Sequence, residues 1–252
     1  MSLAAFGFAS WGLLLLAPIV GSFLGVIVRR LPDGRPIVWA HSHCEACGAP
    51  LAPRDLVPLV SWLLAGGRCR RCGRPLGWFY PGIELAALLV AAIALSVDDP
   101  PRAWLDCLFG WWLLALGWID LRRWVLPDAL TLPLIVAGLV AAVLFVPEEL
   151  LDRALGAAFG YLALRAIAAL YRVMRQREGL GGGDAKLLAA GGAWVGVAAL
   201  PQVILAAALA ALLGAVALRL TGVRMHAHSA LPFGPFLALA IWAAWLLGPL
   251  SL

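Results

Sequence analysis

The sequence predicts an all-α polytopic membrane protein: about eight transmembrane helices with a cytoplasmic four-cysteine zinc-binding loop. Three observations predict it. Of 252 residues, 63% are hydrophobic and 13% charged; the mean hydropathy is +0.93; and apolar stretches recur along the whole chain. An uncharged stretch runs from Met1 through Val28 and the apolar character continues after it. The first segment therefore reads as a retained span rather than a cleaved signal peptide.

Charge, proline and turn clusters divide the chain into spans at 3–28, 82–97, 103–119, 129–146, 154–170, 187–200, 203–218 and 231–250. Several hold only about 14 to 18 residues, so their ends extend into the interface or the bilayer thins around them. With Met1 outside, segments 29–81, 120–128, 171–186 and 219–230 face inward and hold 16 of the 19 Lys and Arg residues, Arg177 and Arg224 among them. The outer segments carry Arg102 and Arg153 beside Asp98, Asp99, Glu148, Glu149 and Asp152. Basic residues concentrate on the cytoplasmic side of membrane proteins, which places loop 29–81 in the cytoplasm. The net charge of +5 then reflects topology in a lipid bilayer, and no nucleic-acid partner is expected.

Four of the five cysteines form two pairs in that loop, Cys44-Glu-Ala-Cys47 and Cys69-Arg-Arg-Cys72, separated by 21 residues. Each pair makes a tight knuckle with two thiolates on one side, and two knuckles close a tetrahedral sulfur cage suited to structural zinc. Gly48 and Gly73 follow the knuckles and permit the left-handed backbone that turns amides toward sulfur. Disulfides or a redox relay are the competing reading, which a reducing cytoplasm disfavours. A closed four-thiolate site leaves no open position for substrate, so its expected role is to fold a loop with few aliphatic core residues. Cys107 reads as a buried apolar thiol, and His41 and His43 as surface residues.

Ionisable groups at membrane depth are costly, and Glu84, Asp106, Asp120, Arg165 and Asp184 each require an explanation. Asp120 ends the third span in Trp118-Ile119-Asp120, and Asp184 opens the sixth after Gly179-Leu180-Gly181-Gly182-Gly183, so both fall at the cytoplasmic boundary. Two carboxylates held together do not readily both ionise. One keeps a proton while the other acts as base, the arrangement by which aspartyl proteases activate water against a peptide carbonyl. The glycines before Asp184 either admit an extended substrate strand or serve helix termination and close packing.

Gly181-Gly182-Gly183-Asp184-Ala185-Lys186-Leu187-Leu188 resembles the G-x-G-D-x-K-L-L segment of bacterial type IV prepilin peptidases. The resemblance extends in order through Gly21-Ser22-Phe23-Leu24, Arg30-Leu31-Pro32, both cysteine pairs, Tyr80-Pro81 with Glu84-Leu85, Asp120 with Leu126-Pro127-Asp128, Leu130-Thr131-Leu132-Pro133, and Pro232-Phe233-Gly234-Pro235-Phe236. It implies a membrane aspartyl protease that removes the basic leader from type IV prepilins or type II secretion pseudopilins. Methylation of the new amino terminus from S-adenosylmethionine follows in that family. The catalytic acids carried over are Asp120 and Asp184, with Gly181, Gly183, Lys186, Asp128 and Glu84 in substrate-contacting or supporting roles. Asp128 opens the fourth span after Pro127 and reads as a helix N-cap. Glu84 either favours a helix N-terminus or contacts substrate or cofactor.

One departure stands at Gly25, where the family has Asn, and it bears on methylation. No glycine-rich nucleotide-binding motif assigns residues to the methyl donor. The domain reading is a first transmembrane helix over 1–28, a cytoplasmic zinc-binding subdomain over 29–81 and a transmembrane aspartyl protease core over 82–252. The competing functions are a membrane protease of other signal sequences and a transporter or assembly scaffold with the acids as a cation path.

Overall fold

Apolar runs bounded by Pro, Gly and charge form helices wherever the pattern lasts, because in lipid a helix satisfies its own backbone. The computed structural model describes residues 7–39, 42–176, 181–221 and 231–248; His41, Arg177, Gly179, Leu180 and Arg224 lie outside them. The described helices are α1 Phe8–Arg30, α2 Val60–Leu64, α3 Phe79–Val97, α4 Pro100–Arg123, α5 Asp128–Phe145, α6 Leu150–Arg175, α7 Gly182–Val195, α8 Leu200–Leu220 and α9 Gly234–Leu247. No strand forms among the described residues, only the isolated bridges His43 with Pro50 and Arg68 with Pro75.

Six helices, α1, α3, α4, α5, α6 and α8, are long and apolar enough to cross a bilayer. In place of the sixth and eighth expected spans stand α7 and α9, with 14 residues each. At 1.5 Å per residue these reach about 21 Å, short of a hydrocarbon core of about 30 Å. Helix α7 tolerates the shortfall because protein surrounds it: Asp184, Ala185 and every residue from Leu187 to Trp194 are buried.

The chain divides into two compact units, Met1–Trp111 and Trp112–Leu252, with α4 contributing to both. In the first, α1 lies against α3 at the distance of small residues. A Cβ on Gly21 would sit 2.7 Å from the Glu84 Cα and 3.0 Å from the Ala87 Cβ, so only glycine permits this approach. The Trp111 indole N–H donates to the Ala87 carbonyl at 2.9 Å and satisfies a polar group that lipid would leave bare.

In the second unit α7 packs against α5, α6 and α9, and glycine sets each contact. A Cβ on Gly160 would lie 2.7 Å from the Leu188 carbonyl oxygen, one on Gly138 2.6 Å from the Trp194 ring, and one on Gly191 2.7 Å from Ile241. Without a hydrophobic drive between helices in lipid, such close van der Waals contact is what holds them. The Trp194 indole N–H adds a buried bond to the Leu134 carbonyl at 2.9 Å. Helix α6 extends past the start of α7, and Arg165 lies level with it, 3.9 Å from where a Cβ on Gly182 would stand. The charge inside the fifth expected span is thereby brought to the turn that opens α7.

Candidate active site and metal centre

Asp120 lies in the last turn of α4 and Asp184 in the first turn of α7. They are 7% and 9% exposed and near enough for the charge of Asp120 to act on Asp184. Each carboxylate is gripped by a glycine backbone. The Gly234 N–H, at the start of α9, donates to Asp120 Oδ2 at 3.0 Å, and the Gly181 N–H donates to Asp184. A Cβ on Gly234 would stand 2.6 Å from Asp120 Oδ2, so the amide reaches the acid only because the side chain is missing. Pro235 follows and offers no N–H of its own.

Lys186 and Asp128 meet at 2.5 Å between Nζ and Oδ1, joining α7 to the start of α5 two residues beyond Asp184. The expected N-cap at Asp128 is corrected here. Pro127 occupies the cap position, no side-chain cap bond forms, and the Asp128 carboxylate is taken by lysine. Gly183 makes room for Leu126, whose Cβ would lie 2.9 Å from a Cβ at that position. Of the residues singled out from sequence, Asp120, Asp128, Gly181, Gly183, Asp184 and Lys186 thus gather in the second unit. Glu84 belongs to the first.

The two cysteine knuckles repeat one geometry. The Gly48 N–H donates to the Cys44 carbonyl at 2.8 Å and the Gly73 N–H to that of Cys69 at 2.9 Å, with φ of 68° and 70° at the two glycines. This is the left-handed backbone that the spacing requires. The sulfurs of Cys44, Cys47, Cys69 and Cys72 all lie within 4.8 Å of one another, and those of Cys44 and Cys72 are 4.0 Å apart. A tetrahedral ion with Zn–S bonds of about 2.3 Å needs sulfurs about 3.8 Å apart, so the cluster can hold a metal with little adjustment. The backbone N–H groups of Cys72 and Arg71 point at Cys69 and pull its thiol down to about 6, while burial and the neighbouring sulfurs push that of Cys72 up to about 11, so Cys69 is the first of the pair to offer a thiolate. Glu45, inside the first knuckle, pairs with Arg29 at the end of α1, and the Arg29 guanidinium lies 4.4 Å and 4.8 Å from the ring centroids of Phe79 and Tyr80.

A cavity of about 490 Å³ lies within the first unit, lined by Ser22, Tyr80 and Glu84 from α1 and α3 and by Trp62, Arg68 and Arg71 from the loop, among others. Glu84 is buried and accepts the Leu59 N–H at 2.8 Å through Oε2. Its carboxylate caps loop backbone rather than the N-terminus of its own helix. At Gly25 the Tyr80 ring occupies the side-chain space: a Cβ would lie 3.0 Å from its Cδ1 and Cε1. An asparagine there would require the ring to move.

Sequence reasoning carried Gly234 only as one residue of a motif and did not assign it to Asp120. The available signal was a glycine placed directly before proline at a helix start, where the remaining donor is free to point elsewhere.

Comparison with known proteins accounts for this division of residues. The bacterial peptidase A24 N-terminal domain matches residues 15–97, and the type IV leader peptidase family matches residues 107–216. A prepilin leader peptidase/N-methyltransferase of Pseudomonas aeruginosa is 39% identical over 260 residues, covering 93% of this chain and 89% of the relative. Proteins of the same name from Burkholderia pseudomallei and Aeromonas hydrophila are 41% and 38% identical, covering 89% and 93% of this chain and 81% and 89% of theirs. No solved structure matches the chain. With the matched segments spanning the cysteine knuckles on one side and both buried aspartates on the other, the chain belongs to the type IV leader peptidase family.

Proposed function

We propose that this chain is an inner-membrane endopeptidase that removes the basic leader from type IV prepilins or type II secretion pseudopilins and then N-methylates the new amino terminus. The observation that carries the first activity is the pair of buried carboxylates, each held by a glycine amide. An ionised member takes a proton from water as that water attacks the scissile carbonyl; the protonated member donates to the carbonyl oxygen. The side-chain-free run Gly181–Gly183 leaves backbone for an extended substrate strand to approach Asp184, and the Lys186–Asp128 pair fixes the α5 and α7 ends beside it.

The cysteine loop within 29–81 supports a structural zinc, on the cytoplasmic side with the acids, as the basic inner segments suggest. The cavity of the first unit fits a methyl donor in size and lining. Arg68 and Arg71 suit the carboxylate of S-adenosylmethionine, Trp62 and Tyr80 offer aromatic faces to adenine or sulfonium, and Glu84 accepts hydrogen bonds. The donor supplies a methyl group to an amine, which must arrive neutral; desolvation at the membrane surface favours that form.

The test uses purified full-length protein and one prepilin, scored separately for cleavage and methylation. Asp120→Asn and Asp184→Asn should each lose cleavage, while precleaved pilin and S-adenosylmethionine should still be methylated by Asp184→Asn. Wild-type cleavage by either variant removes the dyad assignment. Methylation by wild type but not by the folded Asp184→Asn protein would show that the two activities share that residue.

A further inference from the structure

Between the cysteine pairs runs a stretch of ten residues without charge, Leu56 to Ala65, bounded by Arg54-Asp55 and by Gly66-Gly67-Arg68. An apolar run of this length is too short to cross a bilayer and suits either a buried core or an interfacial segment. It is not a core: Leu63 is 68% and Leu64 75% exposed, and Val57 and Val60 are exposed as well. Contiguous apolar surface of this kind needs a cover.

Two contacts set the depth of the segment. Leu59, the residue before α2, donates its N–H to Glu84, five residues inside α3 and so about 7.5 Å past the start of that helix. Trp62 packs on Trp78 with ring centroids 4.6 Å apart, and its indole N–H donates to the Gly77 carbonyl at 3.1 Å. These bonds hold the start and the middle of α2 beside the entry of a helix long and apolar enough to span. Leu59 has φ 59° and ψ −52°, in a γ-turn closed by Val60 N–H on the Pro58 carbonyl at 2.6 Å. That conformation is costly for a residue with a side chain, and it occurs where the buried carboxylate grips the backbone.

We propose that Leu56–Ala65 is an interfacial wedge whose Val57, Val60, Leu63 and Leu64 insert among lipid acyl chains, so that the partner of this face is the bilayer. Lipid is the occupant because the segment is anchored at membrane depth. Leu85, next to Glu84 on α3, is an exposed apolar residue at the same level of that helix. Arg54, just before the segment, supplies a cation for phosphate headgroups. The proposal rests on the reading of α3 as a span and is independent of the peptidase assignment.

The experiment places the photoreactive residue p-benzoylphenylalanine at position 64 of the full chain, reconstitutes it in nanodiscs of phosphatidylcholine and phosphatidylglycerol, and identifies adducts by mass after illumination. The same label at Leu89, 59% exposed on α3, marks lipid contact, and at Arg71, between Cys69 and Cys72, it marks the aqueous side. Position 64 is expected to yield a lipid adduct comparable to position 89, with none at 71. No lipid adduct at 64, or an adduct to a second copy of the chain or to added prepilin in its place, overturns the wedge. Metal content reports whether the loop is folded, and the label at Leu63 repeats the measurement if the Leu64 variant has lost its metal.

Discussion

The two units solve the same problem, holding polar chemistry beside an apolar protein, by different physics. In the first, the chain from Ser42 to Leu76 is ordered by local backbone bonds, four left-handed glycines (Gly48, Gly66, Gly67 and Gly73) and a cluster of thiols. Apart from the exposed Leu56–Ala65 run it offers little aliphatic core, so on the proposed reading a metal held by the four thiols would supply much of its folding free energy. In the second, order comes from glycine faces that let α5, α6 and α9 close on α7, and the acids sit inside that packing. The first unit is thus built around a thiol cluster able to hold a metal, and the second around steric fit. This difference teaches where each ought to fail.

The largest effect is expected on the metal side. Structural zinc contributes about 10–16 kcal/mol to folding in small sites, so Cys44→Ser or Cys72→Ser should release the ion and open the loop to limited proteolysis. S-Adenosylmethionine binding should go with it while leader cleavage persists. Parallel loss of cleavage would break the comparison by showing that the units depend on each other.

Next come the acids. Asp120→Asn and Asp184→Asn should each lower cleavage by about 10²–10⁴-fold, with metal content unchanged, since neither carboxylate contributes to the thiol cluster. Full activity in either, read from leader removal on gels, rejects the dyad.

A smaller effect sharpens the steric side. In Gly234→Ala the new methyl would contact Asp120 Oδ2, and displacement of a reacting group by about 1 Å costs about 10² in rate. The loss should appear in kcat with KM held. Gly117→Ala is the comparison, because its Cβ meets Pro235 Cα at 3.3 Å in the same α4–α9 contact without reaching the carboxylate. Equal losses in the two variants would reduce Gly234 to a packing residue.

The smallest is the Lys186–Asp128 pair. Their side chains are 32% and 57% exposed, so water screens the attraction, and a double-mutant cycle with Lys186→Met and Asp128→Asn should give about 0.2–1 kcal/mol. Cleavage should fall only a few-fold. A loss as deep as that of Asp184→Asn would move Asp128 into the acid chemistry.

Much of this was legible before any folding. Periodic interruption of apolar sequence places a helix where each of the eight expected spans stands, because lipid admits few other ways to satisfy a backbone. The two Cys-x-x-Cys pairs with their trailing glycines specify knuckle geometry through local backbone preference, and the structure follows it at Gly48 and Gly73. Asp120 and Asp184, expected at one depth from the topology, lie near enough for one charge to act on the other. Local information ends there. That Gly234 serves Asp120 depends on a contact across 114 positions. That Asp128 binds Lys186 instead of capping α5 depends on where α7 lies, and that Glu84 holds Leu59 depends on how the loop returns to α3. Periodicity and neighbours along the chain account for the helices and the knuckles. Which distant backbone amide meets which buried carboxylate is chosen by helix packing and by the missing side chains that allow it.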